Sequence, residues 1–307
     1  MEVTVRRAGM LTTVQDLGRS GHRAAGVPLG GAMDSMALRV ANLLVGNPEN
    51  AAALELTLRG PDLEFSAATV VALGGAEFGA IPRWQPVTVP AGGRLSFGDA
   101  RTGCRGYLAI AGGFDVPAVL GSRGTYLRAA LGGHHGRALR DGDVLRAPGI
   151  ARHVVGHWHI DERILPAYRQ APTVRVVRGA QAEEFGGRLF RHAFSVSPKS
   201  DRMGVRLTGP ELARTGAAEL VSSTVVPGTV QVPPDGQPII LMADAQTIGG
   251  YPQIAHVISV DLPLVAHLRP GDTVQFHEVT LAEAHELALT RERHLGMLHE
   301  GLAEKLR

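Results

Sequence analysis

Between Leu54 and Ala111 the hydrophobic positions come in brief runs, LELTL, VVALGG, VTVPAGGRLSF and RGYLAIAGG, each closed off by glycine or proline. Short apolar runs at regular spacing with turn residues between them predict a β-barrel or sandwich. Within this stretch VTVPAGGRLSFG reads as a hairpin. Upstream, Met1 to Val5 alternates enough to be an edge or barrel strand, and Ala8-Gly9-Met10 then turns into LTTVQDLGRSGHRAAGVPLGGAMD, a long polar loop punctuated by glycines. The next segment changes period. Met36, Leu38, Val40, Leu43 and Leu44 fit one face of a helix, Asp34 stands where an N-cap belongs, and Gly46 and Asn47-Pro48 end the run.

The second half is organised around VVPGTVQVPPDGQPIILMADAQTIGGYP, residues 225–252. Thr229 to Val232 and Pro238 to Met242 read as two strands joined through Pro234-Asp235-Gly236, where proline presets φ, aspartate bonds its own backbone and glycine accepts a positive φ. Ile239 to Met242 is apolar without alternation, as a strand covered on both faces would be. Around this hairpin the pattern predicts a strand over Thr173 to Val177, a short helix within Gln181 to Phe190, a turn at Ser197-Pro198 and a strand from Val205-Arg206-Leu207. VISVDLPLVAHLRPGDTVQF supplies a strand, a turn of helix and a closing strand, and Leu281 to Leu306 reads as an amphipathic helix. The polar stretch from Ala151 to Pro172 is the predicted linker. It divides the chain into a β-rich lobe over 1–165 and a second lobe over 166–307 that carries the final helix.

Composition narrows the function classes. At 307 residues the chain is long for a single core, and 44% hydrophobic with 20% charged residues is ordinary for a globular protein. No uncharged apolar run approaches the ~18 residues of a membrane span, and MEVTVRRAGM lacks the apolar run of a signal peptide, so a cytoplasmic location is expected. The formal charge of +2 is spread among acidic residues, which gives nucleic-acid binding no support. Cys104 is the only cysteine and reads as a buried spectator. His134-His135 invites a metal reading, but adjacent side chains are expected to diverge; His157 and His159 fit one side of a strand, and no zinc spacing is present. There is no GxxxxGK[ST] loop and no GxSxG elbow, and neither lysine, Lys199 or Lys305, sits in a biotin-carrier segment.

The candidate chemistry lies in three places. Gln15, Asp16 and Arg19 are the best-equipped side chains of the long loop, where Asp16 and Arg19 suit either a bracing pair or a functional one. Asp201, Arg202 and Arg206 crowd charge beside an apolar strand, as a salt-bridge brace or an anion pocket would. Asp244, Gln246, Thr247 and Tyr251 follow directly on the apolar strand Ile239 to Met242, with Gln231 on its hairpin partner. Amide, hydroxyl and carboxylate groups of this kind suit the orientation of a small polar amide.

GMLTTVQDLGRSGHRAAGVPLGGAMDSMALRVANLLVGNPENAAALELTLRGP, SPKSDRMGVRLTGP and VPGTVQVPPDGQPIILMADAQTIGGYP occur in that order along the chain. Together they resemble the biotin-dependent carboxyltransferase family that contains the C subunit of 5-oxoprolinase, KipA and allophanate hydrolase subunit 2. The resemblance implies a mainly β fold with a few helices, in two cyclophilin-like β-barrel lobes. It implies a companion resembling KipI or the B subunit of 5-oxoprolinase, and a further LamB/YcsF-like component, the A subunit. Ile248 and Val205 depart from the family pattern, which has threonine and tyrosine at those places. Three functions are consistent with the resemblance: a component of an ATP-dependent 5-oxoprolinase that opens 5-oxoproline to glutamate, a carboxyltransferase component, and a non-catalytic regulatory binding protein like KipA. ATP would serve the assembled complex, and carboxybiotin would have to come from another protein. For the first function Asp201 or Asp244 is the expected base or water-positioning group. Arg19, Arg202 and Arg206 would hold a carboxylate or developing anion, and the glutamines would bind the lactam.

Overall fold

The computed structural model describes residues 1–149, 158–216 and 220–305. Two compact units divide the chain: Met1–Arg19, Gly30–Ala167 and Arg293–Arg307 form the first, and Ser20–Leu29 with Tyr168–Glu292 the second.

Among the described residues the first unit has nine strands: β1 (Glu2–Arg7), β2 (Leu11–Gln15), β3 (Ala53–Thr57), β4 (Asp62–Phe65), β5 (Thr69–Glu77), β6 (Pro86–Val89), β7 (Arg94–Ser96), β8 (Thr102–Ile110) and β9 (Val144–Arg146). They form a four-stranded sheet in the order β7-β4-β1-β9 and a five-stranded sheet in the order β2-β3-β8-β5-β6. One face of each sheet contributes to a single core, with Val3, Val5 and Phe65 from the first and Leu54, Leu73 and Leu108 from the second, so the pair is a sandwich. On the far face of the five-stranded sheet lies helix α1 (Ser35–Leu44), packed on β5 and β8. Asp34 caps it through a 2.9 Å bond from the Ala37 N–H, as the sequence predicted. Gly74 admits the helix: a Cβ there would stand 2.5 Å from the Ala37 carbonyl oxygen.

Three sequence expectations change here. The first strand is longer than predicted and lies inside its sheet, bonded to β4 on one side and β9 on the other. The polar loop begins later, because Leu11–Gln15 is strand β2, paired from Leu11↔Thr57 to Gln15↔Ala53. VTVPAGGRLSFG is no hairpin, since β6 pairs with β5 and β7 with β4. Its glycine turn is real but carries the chain from one sheet to the other, and Gly92 and Gly93 bond to Phe65 of β4.

The second unit holds a closed barrel. Its strands are β10 (Thr173–Arg178), β11 (Phe194–Val196), β12 (Gly204–Thr208), then, beyond a short β13 (Ser223–Thr224), β14 (Thr229–Gln231), β15 (Ile239–Leu241), and beyond β16 (Ile248–Gly249), β17 (Gln253–Val257) and β18 (Thr273–Glu278). The ring runs β10-β17-β14-β15-β12-β11-β18, and β13 pairs with β16 as a separate ribbon. All its pairings are antiparallel except the closing one, β10 with β18, which is parallel. Directly opposed residues share a face, and Val205, Ile240, Val230 and Ala255 form one buried row across four strands. The Phe194 and Phe276 rings meet edge to face with centroids 6.2 Å apart. The predicted β14–β15 hairpin is present, with Gly236 at φ +70 and the Asp235 carboxylate accepting from the Gln237 N–H at 3.0 Å.

Two helices complete the chain, α2 (Leu262–Ala266) and α3 (Leu281–Lys305). The start of α3 is a capping box in which the Thr280 hydroxyl accepts from the Glu283 N–H and the Glu283 carboxylate accepts from the Thr280 N–H at 2.7 Å. Leu295 and Leu302 are buried, while Leu281, Leu289 and Met297 face solvent, so the apolar stripe expected of this helix is thin. Leu306, the predicted last residue of this helix, lies outside the described residues, as does His157. None of the described helices is long and apolar enough to cross a membrane.

Candidate functional site

Each unit contains a buried polar centre. In the first, strand alternation creates it. Val14, Leu54, Leu108 and Leu73 oppose one another across four strands and face the sandwich core. One residue along, Thr13, Glu55, Tyr107 and Gly74 form the opposite row, on the face that α1 covers. Gln15 lies two residues beyond Thr13 on the same face and is fully buried. Its Nε2 donates to the Thr13 hydroxyl at 3.0 Å and to the Thr125 carbonyl at 3.1 Å. That carbonyl can only accept, so the amide orientation is fixed. The Gln15 Oε1 is buried with no hydrogen-bond donor among the described residues.

Asp16 follows directly on the strand. Its carboxylate accepts from the Gly18 N–H at 2.9 Å, the Ser122 hydroxyl at 2.6 Å and the Arg123 N–H at 2.6 Å. Arg19 is fully buried, and its Nη2 donates to the Gly124 carbonyl. Of the two readings open for Asp16 and Arg19, a mutual bracing pair does not occur among the ion pairs of the described residues; each instead holds the 122–125 segment. Gly124 leaves room for both side chains: a Cβ would lie 2.9 Å from Asp16 Oδ1 and from Gln15 Oε1, so these groups would have to shift to admit it.

In the second unit the ladder between β12 and β15 continues past the strand ends, with Met242 N–H bonded to the Met203 carbonyl and Asp244 N–H to the Arg202 carbonyl at 3.0 Å. This sets Arg202 against Asp244 in a bidentate pair of 2.9 and 3.0 Å, with side chains only 6% and 4% exposed. Asp201 instead sits in an exposed turn, accepting from the N–H groups of Met203 at 2.8 Å and Gly204 at 3.1 Å. Arg206 is exposed, Gln246 half-buried and Thr247 buried. Gln231 is buried and donates to the Tyr251 carbonyl at 3.3 Å, and a Cβ on Gly249 would stand 2.7 Å from that amide nitrogen. Tyr251 is half exposed and lines a cavity of about 720 Å³ together with Phe185, Leu212, Val232, Pro233 and Pro252.

Charge and burial set the state of several groups. Tyr107 is held far above an ordinary phenol by burial and then by the nearby Glu55 and Asp34 carboxylates, so it is a neutral donor. Burial pushes His256 down; its Nδ1 faces the Thr229 hydroxyl at 3.2 Å. The His134 and His135 rings do not diverge but contact each other at 4.3 Å. His134 is pushed down by burial and faces Asp143, whose carboxyl is held below its usual range by the Arg137 guanidinium. His159 lies in an irregular segment. Among the described residues no three His, Cys, Asp or Glu side chains stand close enough to hold a metal ion.

Residues 25–278 match the carboxyltransferase domain family, subdomains A and B. The chain belongs to that family. It is 41% identical to the C subunit of 5-oxoprolinase from Escherichia coli over 95% of this chain and 96% of that one. The C subunit from Haemophilus influenzae is 39% identical over the same shares. Among solved structures the urea carboxylase of Kluyveromyces lactis superposes with a TM-score of 0.89 at 32% identity, over 98% of this chain and 29% of that protein. The mainly β fold with a few helices expected from the resemblance is observed, but among the described residues only the second unit closes into a barrel; the first expected barrel is a pair of separate sheets that share one core.

In this carboxyltransferase domain the buried centre of the first unit contains Gln15 and Asp16, both singled out in the sequence, together with Glu55, Tyr107 and Ser122, which were not. The signal for the first two was present: Glu55 alternates with leucines in ALELT, and Tyr107 shares its parity on β8 with Arg105. Such alternation ordinarily marks a solvent face. Only the pairing register and α1 show that this face is closed.

Proposed function

We propose that this chain is the C subunit of a 5-oxoprolinase, a hydrolase complex in which it acts with a KipI-like B subunit, and with a LamB/YcsF-like A subunit, to open 5-oxoproline to glutamate. The likeness to the Escherichia coli protein, 41% identical over nearly the whole of both chains, carries the reading. ATP is the co-substrate of the complex, and no step through it is assigned to this chain.

In the first unit, Gln15 offers an oriented carbonyl oxygen with no donor of its own among the described residues. An amide or lactam N–H is the complementary group, and a buried acceptor left without one costs about 1–3 kcal/mol. We assign Gln15 to substrate recognition. Asp16 and Arg19 hold the loop that carries it through Ser122, Arg123 and Gly124. In the second unit, Gln231, Gln246, Thr247 and Tyr251 are the amide and hydroxyl groups for substrate, with Arg206 available to a carboxylate. Asp244, aligned by Arg202, is the better-oriented candidate base, and Asp201 the more accessible one.

The likeness to urea carboxylase supports a second reading, carboxyl transfer to a urea-like amide from carboxybiotin carried on another protein. Reconstitution separates the two. Mixing the chain with its companion proteins should give ATP-driven glutamate release that requires this chain and is insensitive to avidin. Avidin-sensitive carboxylation of urea would favour the second reading. Stable assembly without turnover of either substrate would point to a KipA-like binding protein.

A further inference from the structure

Three successive backbone N–H groups before α1 are each held by a different element of the five-stranded sheet. The Ala32 N–H donates to the Asp16 carbonyl at 2.8 Å, at the end of β2. The Met33 N–H donates to Glu55 Oε2 on β3 at 3.0 Å. The Asp34 N–H donates to the Tyr107 hydroxyl on β8 at 2.8 Å. Tyr107 in turn donates to the same Glu55 oxygen at 2.8 Å. Glu55, Tyr107 and Asp34 are all 1% exposed or less, so these bonds form away from water.

The clamp bears on Gln15 by two routes. Through Ala32 it fixes the carbonyl of the next residue, Asp16, and the fit is close: a Cβ on Gly31 would lie 2.8 Å from that carbonyl oxygen and 2.6 Å from the Gly18 nitrogen. Through the strand row, Glu55 stands opposite Thr13, whose hydroxyl accepts from Gln15 Nε2. A buried carboxylate and phenol are an expensive means of merely capping a helix that already has Asp34.

We propose that Glu55 and Tyr107 are positioning residues for Gln15: they lock the 32–34 segment onto the end of β2 and so hold the Gln15 amide at the angle that meets a substrate N–H. The inference rests on the assignment of Gln15 to substrate recognition. Neither residue touches substrate.

The test is a double-mutant cycle in the reconstituted complex. Tyr107→Phe removes one oxygen and should raise KM for 5-oxoproline about tenfold, with KM for ATP within twofold of the parent. Gln15→Ala should raise it at least as much, and the double variant should match Gln15→Ala alone, because Tyr107 acts through the lost amide. A merely structural tyrosine gives multiplicative effects, and that outcome overturns the proposal. Hydrogen exchange on the isolated chain is the second measurement. In Tyr107→Phe, and in Glu55→Gln, exchange should rise together at 32–34 and 15–18. A rise confined to 32–34, or none, also overturns the proposal. If the parent complex does not turn over 5-oxoproline, the functional reading fails while the clamp is judged on exchange alone.

Discussion

Asp16 in the first unit and Asp244 in the second are buried carboxylates, each with both oxygens bonded, yet they are held by different kinds of donor. Asp16 is met by a serine hydroxyl and two backbone N–H groups, whereas Asp244 is met by the Arg202 guanidinium in a bidentate fork. Neutral donors take the carboxylate as they find it, and removing one leaves the others. A paired guanidinium and carboxylate neutralise each other, so removing either strands a charge. The first arrangement suits a loop that is fixed by many small contributions. The second suits a single rigid junction, here the continuation of the β12–β15 ladder.

This contrast can be broken by substitution. Arg202→Ala leaves Asp244 buried without its guanidinium and should cost about 3–5 kcal/mol of unfolding free energy, read by chemical denaturation. Replacing both residues with apolar ones of similar volume should recover most of that loss. Full additivity of the two single changes would show that the pair is not coupled.

A smaller effect is expected from the helix seat of the first unit. Gly74→Ala places a Cβ 2.5 Å from the Ala37 carbonyl oxygen and 2.9 Å from the Trp84 ring. Backbone cannot yield as a flexible side chain does, so α1 must shift, at about 1–3 kcal/mol. A thermal midpoint unchanged from the parent would place α1 elsewhere.

The weakest effects are pH dependences that separate the two units. The folded state raises the pKa of Tyr107 above 10.0, so its contribution is present below pH 10 and is lost as pH rises beyond it. His256 is lowered from 6.5, so its contribution is present above that value and is lost as pH falls through the folded pKa. Alkaline titration of Tyr107→Phe should therefore be flatter than that of the parent, and acid titration of His256→Gln flatter too. Identical curves for parent and variant would remove either group from the account.

The hairpin of β14 and β15 was legible because its instructions are local: Pro234-Asp235-Gly236 sets the turn and the apolar run beside it sets the strand. Asp34 as a cap was legible for the same reason. Strand β2 was not, since LTTVQ is polar and its partner strand is distant along the chain, paired from Leu11↔Thr57 to Gln15↔Ala53. VTVPAGGRLSF failed in the opposite sense, because a good local turn suggested a pairing that the two sheets take instead with β5 and β4. Of the first centre, Gln15 and Asp16 were visible as polar residues in a glycine-rich stretch. Glu55 and Tyr107 join them only through the register of three strands, which no single segment encodes.

The barrel's closing seam has a consequence for synthesis. Thr173 pairs with Gln275 and Val176 with Glu278, so the earliest strand of the ring waits for the latest, about a hundred residues downstream. Until the ribosome has released that last strand, β10 and β11 are both raw edges open to other nascent chains. Expression of chains that stop short of Thr273 should accordingly yield aggregates in place of a smaller barrel.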